Sequence, residues 1–538
     1  MQAGAILTLI GNRLLDALWP ERKTLASLRS AWGSLGDKRA WLESDYFDLV
    51  RRRPDRVLVD DRTWLDLEYP RIFGDMDTTI TPIGSQLLFH QLRRYPGSGE
   101  EPRALYETCE ILRSNAPLRE RIQLRLKPLE DDGFANIAGF LLDNPPEKMR
   151  HRGLIALWGL ASLVVLSGVI AQGWPLWIWL GMLAINVLVI LKASGYLFRD
   201  AHTLKGCVYM MQVAERVAGA GGHDAGLPML ERLRAESANR QRVRKSLMWF
   251  AFVNKPLVSW IVVWLNLMFL LETSIYNLTI ERFVRVREAL LPTFVLLGEL
   301  DACIAIASYL QRHREHCRPA WTDDGSLELM QARHPLIEEP VANSIALARQ
   351  SVLVTGSNMA GKTTFIKTVA IQLLFGQTLG FCLASEARIP RIRVMASIRG
   401  EHSVASGKSH YFAEVEAIRS FIDLHERGVP AVFVIDELFS GTNTVERIAA
   451  ARAVLECLSR RATVLVTTHD VELQSLIPEQ FILCHFQENP DIDGFFDYRL
   501  RPGRANGRNA IRLLQRMGFP DQVVANAMAY TEEDPQPG

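Results

Sequence analysis

Val352-Leu-Val-Thr-Gly-Ser-Asn-Met-Ala-Gly-Lys-Thr-Thr-Phe365 is the stretch that decides the fold. An apolar run ends in Gly356, four residues intervene, and Gly361-Lys362-Thr363 opens a helix-compatible segment through Leu374. Strand, glycine loop and helix in that order make a phosphate-binding P-loop. Its glycines let backbone N–H groups close around phosphate oxygens, and the helix N-terminus adds favourable potential. The spacing assigns Gly356, Ser357, Asn358, Met359, Ala360, Gly361, Lys362, Thr363 and Thr364 to binding ATP. Lys362 is expected to reach the β and γ oxygens, and the Thr363 hydroxyl to ligate Mg2+.

Strands and helices alternate around this loop. Strands are expected at 321–330, 351–355, 394–398, 431–435 and 463–467, and helices at 410–425 and 445–460. Such alternation implies an α/β domain with a largely parallel sheet. The run Val432-Phe-Val-Ile435 ends in Asp436-Glu437, the second element an ATPase needs. Asp436 is expected to hold Mg2+ and Glu437 to polarise the attacking water. After the next strand comes Thr467-Thr-His-Asp470, and His469, just past a strand end, is assigned to the γ-phosphate or its water.

Composition narrows the rest. Lys plus Arg number 61 against 60 Asp plus Glu, so no global positive field calls for nucleic acid. The seven cysteines are scattered without a C-x-x-C pair, which argues for reduced thiols and against a zinc site. Residues 6–18 read as a short amphipathic helix rather than a signal peptide. Thr81-Pro82 opens a capped helix leading into a helical core. Then 153–171 and 173–191 are two nineteen-residue runs without a charge, separated only by Gln172. At ~1.5 Å per residue each reaches ~28 Å, close to the hydrocarbon thickness of a bilayer. Lys148, Arg150 and Arg152 precede the pair and Lys192 and Arg199 follow it, while the Gln172-Gly-Trp-Pro175 turn is uncharged. That asymmetry puts both flanks in the cytosol and makes a membrane hairpin at 153–191 the expectation, with a buried helical hairpin as the alternative. A third apolar run, 257–271, is fifteen residues long and carries Asn266; parity opposes a single third crossing, which leaves an interfacial or re-entrant segment, a buried helix or half of a second hairpin with 247–253, length favouring the options that do not span. The cluster Arg240, Arg242, Arg244 and Lys245 reads as a solvated helix face or a headgroup contact.

These residues resemble the MutS family of mismatch-repair-type ATPases. The resemblance runs, in the family's order, through Thr355-Gly-Ser-Asn-Met-Ala-Gly-Lys-Thr-Thr364, Ser406-Gly-Lys-Ser-His-Tyr-Phe412, Asp436-Glu-Leu-Phe-Ser-Gly-Thr-Asn-Thr444 and Thr467-Thr-His469. It also takes in Leu300-Asp301, Gln331-Ala-Arg-His-Pro335 and Tyr498-Arg-Leu500. It implies an ABC-type ATPase domain at 320–530 and an all-α core and lever domain at 56–315, within whose bounds the hairpin and the 257–271 segment fall. Composition adds an N-terminal helical segment at 1–55 and a disordered, acidic and Pro-rich tail at 531–538. The resemblance further implies a homodimer in which Ser409 and Asn443 reach the nucleotide bound by the partner. The expected protein is a short, membrane-anchored member without a mismatch-reading domain, its ATPase on the cytosolic side of the inner membrane. ATP binding and hydrolysis would drive conformational change, with the lipid bilayer as one partner and DNA as another. The alternative is an ABC-like machine for transport or membrane remodelling without a nucleic-acid role. The family's customary adenine-stacking aromatic is missing from Pro340-Val-Ala-Asn343.

Overall fold

Among the described residues, ten strands form two sheets: β1 (Ala320–Thr322), β2 (Leu327–Ala332), β3 (Asn343–Leu347), β4 (Ser351–Thr355), β5 (Glu386–Pro390), β6 (Arg393–Ser397), β7 (Ala431–Asp436), β8 (Thr463–Thr467), β9 (Phe481–Glu488) and β10 (Phe496–Pro502). They belong to a computed structural model that describes residues 20–36, 45–52, 57–143, 149, 152–221, 226–253, 256–357, 359–398, 410–439, 441–470, 472–488, 496–504 and 518–533. The amphipathic segment expected at 6–18, Asn358, Ser409 and residues 534–538 lie outside that set. Contacts divide the described chain into two units, one drawn from Met1–Arg56, Phe73–Gln91 and Glu107–Arg312, the other from Val57–Ile72, Leu92–Tyr106 and His313–Gly538.

In the second unit the larger sheet has the order β10-β9-β4-β8-β7-β6, parallel except for β10. Every residue of β4 and β7 is buried, the signature of parallel strands covered on both faces. Helix His410–Glu426 covers β7 through Phe421, which stacks on Phe433 at 5.0 Å between ring centroids. The smaller sheet runs β1-β5-β2-β3. The single strand expected over 321–330 is two strands, because Asp324 accepts hydrogen bonds from the Ser326 backbone and hydroxyl and Gly325 takes φ 78°. That turn sends β1 and β2 to opposite sides of β5.

β6 is an edge strand, and side chains from the unit's N-terminal pieces satisfy its outer amides. Val394 N–H donates to the Tyr95 hydroxyl at 2.9 Å, Ala396 N–H to Thr63 Oγ1 at 2.9 Å and Ile398 N–H to Asp66 Oδ2 at 2.8 Å. Alternate residues of a strand face the same way, so three acceptors at 394, 396 and 398 blunt the whole edge. Burial pushes the Asp66 carboxyl up to about 6, against the pull of the Ile398 amide and of Arg62 and Lys367.

The first unit is helical. Thr81 Oγ1 accepts from Gly84 N–H at 2.9 Å and so caps the helix Pro82–Arg93, as its Thr-Pro start implies. Asp301, fully buried on helix Leu291–Arg312, takes hydrogen bonds from Ile80 N–H at 3.1 Å, Thr81 N–H at 2.8 Å and the Thr81 hydroxyl at 2.7 Å. Gly84 leaves room for this carboxylate, which any Cβ at that position would overlap. Asp301→Ala strands those donors away from water and is expected to cost about 3–5 kcal/mol, read as a lower midpoint in denaturant titrations of the full chain.

The two uncharged runs form helix Arg152–Gln172 and the first half of the 43-residue helix Leu176–Ala218, joined by residues 173–175. In the segments Gly153–Gln172 and Leu176–Gly195 only 17% and 11% is buried within the protein, and both are long and apolar enough to cross a membrane. Ser162 and Asn186 turn inward: Trp158 Nε1 donates to Asn186 Oδ1 at 2.9 Å, and Ser162 Oγ to the Trp158 carbonyl at 3.2 Å. The third apolar run is a separate 14-residue helix, Pro256–Phe269, ~21 Å long and short of a bilayer's ~30 Å. Its last carbonyls, of Leu267 and Met268, accept from Asn186 Nδ2 at 3.1 and 2.9 Å, and its end packs on Gly159. Leu270, at φ 53°, then turns the chain into helix Leu271–Val286.

Candidate functional site

β4 delivers the chain to Gly356, whose φ is 142° and where a Cβ would stand 2.7 Å from the Phe486 carbonyl oxygen of neighbouring β9. Met359 at φ 71° and Gly361 at φ 103° are also left-handed, and Gly361 caps helix Lys362–Thr378. This backbone presents the free N–H groups of a 17-residue helix to the loop, a ready anion site. Lys362, 5% exposed, donates from Nζ to the carbonyls of Gly356 at 2.7 Å and Ser357 at 2.9 Å. Burial lowers its pKa, while Glu437 and Asp436 oppose that shift. The Ser357 hydroxyl, buried in the same loop, has no hydrogen-bond partner among the described residues, which suits a loop built to receive one.

Parallel pairing sets the acidic side. Asp436 ends β7 opposite Thr467 of β8, and the Thr467 hydroxyl donates to Asp436 Oδ1 at 2.5 Å. The Thr363 hydroxyl lies 2.9 and 3.0 Å from the two oxygens of the same carboxylate. A hydroxyl and a carboxylate converging beside an anion-binding loop fit Mg2+, which takes one or two protein oxygens and completes its octahedron with waters and phosphates. Among the described residues no cluster of three or more His, Cys, Asp or Glu offers an all-protein metal cage.

Glu437 follows β7 at φ 56°, a region an ordinary residue occupies only under constraint, and its N–H donates to the Thr467 carbonyl at 3.1 Å. Its Oε1 lies 2.8 Å from His469 Nδ1. The structure thus brings Lys362, Thr363, Asp436, Glu437 and His469 onto the same end of β4, β7 and β8. Asn443 serves its own chain: its Oδ1 accepts from Glu446 N–H at 2.9 Å and caps helix Thr444–Leu458.

Three features escaped the sequence reading. Arg447 grips Asp470 with Nε at 2.9 Å and Nη2 at 2.6 Å, fastening the start of helix Thr444–Leu458 to the turn that carries His469. Thr467 stands in the quoted Thr467-Thr-His469 but its hold on Asp436 depends on strand register. The third is a cavity of about 360 Å³ beside the glycine loop, lined by Ile337, Val341, Asn343, Thr364, Phe486 and Tyr498 among others. Asn343 fixes its rim by donating to the Tyr498 carbonyl at 2.9 Å and accepting from Leu500 N–H at 2.8 Å. Burial lowers the pKa of His334, another wall residue, to about 4, so the imidazole is neutral at pH 7.

Residues 352–533 match MutS domain V. The chain is 33% identical over 267 residues to the DNA mismatch repair protein MutS of Thermus aquaticus, covering 48% of this chain and 32% of that one. It is 31% identical over 264 residues to the DNA mismatch repair protein MutS of Thermus thermophilus, with the same coverage. To Endonuclease MutS2 of Levilactobacillus brevis it is 32% identical over 254 residues, 45% of this chain and 31% of that one. The chain spans about a third of the length of the curated relatives it matches.

Proposed function

We propose, from a C-terminal half that matches MutS domain V and MutS relatives, that the chain is a membrane-anchored, homodimeric, Mg2+-dependent ATPase of the MutS kind whose nucleotide cycle drives conformational change. The observation that carries the reading is the convergence of Lys362, Thr363, Asp436, Glu437 and His469 on one loop. The loop N–H groups and Lys362 would bind and orient the phosphates, and Thr363 and Asp436 would hold Mg2+, with the Thr467 hydroxyl fixing the Asp436 carboxylate in position. Bound there, Mg2+ neutralises charge that builds on the phosphate oxygens. Glu437 accepts the proton of the attacking water, and His469 orients the carboxylate through Nδ1. Pairing of two ATPase domains is supported by exposed apolar side chains on the elements around the site: Met359, Tyr411, Phe412 and Val445. Membrane anchoring is supported by the exposed apolar faces of residues 153–195. DNA enters as the ligand in the relatives' names, and with a net charge of +1 any contact would rest on a local patch.

The cavity beside the loop suits the nucleobase, with the Tyr498 ring, 45% exposed, supplying the aromatic face missing from 340–343. Base stacking on an aromatic is worth about 1–3 kcal/mol. Tyr498→Ala is therefore expected to weaken ATP binding by about 5- to 150-fold, measured by titrating a fluorescent ATP analogue into the full chain. Equal affinity in the two proteins would remove Tyr498 from the base site. Failure of the parent chain to bind ATP at all would end the ATPase reading.

A further inference from the structure

Glu437 and Phe439 both adopt φ 56°, two left-handed non-glycine residues bracketing Leu438 in a buried bend. A backbone so constrained keeps its shape only if its surroundings over-determine it. One constraint is Glu437 N–H on the Thr467 carbonyl. Another comes from the side: Phe439 N–H donates to Glu414 Oε1, a carboxylate 9% exposed on helix His410–Glu426. A carboxylate accepting a backbone N–H makes a charge-assisted bond, stronger than a neutral one. Immediately before Glu414, the Ala413 carbonyl accepts from Arg62 Nη1 at 3.0 Å. Arg62 belongs to helix Asp61–Asp66, the same short helix whose Thr63 and Asp66 hold the β6 amides of Ala396 and Ile398.

We propose that Glu414 is a positioning residue for Glu437, and that Arg62 holds Glu414 in register, so that helix Asp61–Asp66 sets the aim of the proposed catalytic base. The inference rests on the ATPase reading above, since it gives the bend a catalytic purpose. Geometry alone shows the chain of contacts: Arg62 to Ala413, Glu414 to Phe439, and the bend that projects the Glu437 carboxylate toward His469. A shift of ~1 Å in a catalytic group can cost ~100-fold in rate, so loss of this tether acts on turnover rather than on nucleotide affinity.

The test compares Glu414→Ala with Glu414→Gln, and Arg62→Ala with Arg62→Lys, in the full chain in detergent. Glu414→Ala is expected to lower kcat by about 30-fold with KM for ATP within about threefold. Glu414→Gln, whose amide oxygen still accepts from Phe439, is expected to stay within about fivefold of the parent. Arg62→Ala should lower kcat by about fivefold and Arg62→Lys should recover it. A raised KM at unchanged kcat, or a glutamine variant as slow as the alanine variant, overturns the proposal. If the parent hydrolyses no faster than Glu437→Gln, the ATPase reading falls by itself. Hydrogen exchange at the Phe439 amide then decides the tether: faster exchange in Glu414→Ala but not in Glu414→Gln upholds it, and no change overturns it.

Discussion

Glu437→Gln is expected to reduce ATP hydrolysis by about 10²–10⁴-fold while leaving ATP affinity within about threefold, the signature of a lost general base. The amide fills the same space and can still hydrogen-bond His469, so the strained bend at φ 56° and the 2.8 Å contact have no steric reason to rearrange. What disappears is the capacity to accept a proton. Asp436, only one residue earlier, cannot take over, because its oxygens are already engaged by Thr363 and Thr467. Steady-state phosphate release checks the rate and equilibrium binding of labelled ATP checks the affinity. Full activity in the variant would show that the Glu437 carboxylate is not the base.

The second large effect concerns the apolar hairpin. Leu160 is 61% exposed and Leu188 65%, each near the middle of its membrane-length segment, Gly153–Gln172 and Leu176–Gly195. If those faces meet lipid, Leu160→Arg together with Leu188→Arg costs about 5–7 kcal/mol of insertion, at about 2.5–3.5 kcal/mol per arginine. The double variant is then expected to leave the membrane fraction, read by flotation of vesicles from expressing cells. If the faces met water, two surface arginines would change stability by only a few tenths of a kcal/mol. Flotation of the double variant at the parent's level would contradict lipid exposure.

The layout of the candidate site was legible where its residues are close in sequence. Gly356, Gly361 and Lys362 lie within seven consecutive residues, and their spacing alone requires the loop that the structure shows. Asp436 and Glu437 could be read because a buried parallel strand is a run of apolar residues, and its end is where polar groups emerge. In the smaller sheet β3 and β5 were not legible: they are five residues each and mix polar with apolar positions, so neither gives a clear periodic signal. Nor could the sequence show that Asp60 to Asp66, charged and helix-compatible, supplies the acceptors for an edge strand some 330 residues later. Contacts of that separation leave no trace in local pattern. The same holds for Asn343 and Tyr498, brought together from 155 residues apart to frame the cavity. Asn186 is an intermediate case: one amide in an uncharged run invites attention, but its hold on the end of helix Pro256–Phe269 follows from packing.

The most direct measurement takes membranes from cells expressing the full chain, strips them with alkaline carbonate, restores neutral pH and assays Mg2+-dependent ATP hydrolysis in pellet and wash. An ATP engine fixed to lipid by residues 153–195 leaves both chain and activity in the pellet, with the activity absent from a Glu437→Gln pellet. Intact chain in the wash, or equal turnover in the two pellets, would contradict it.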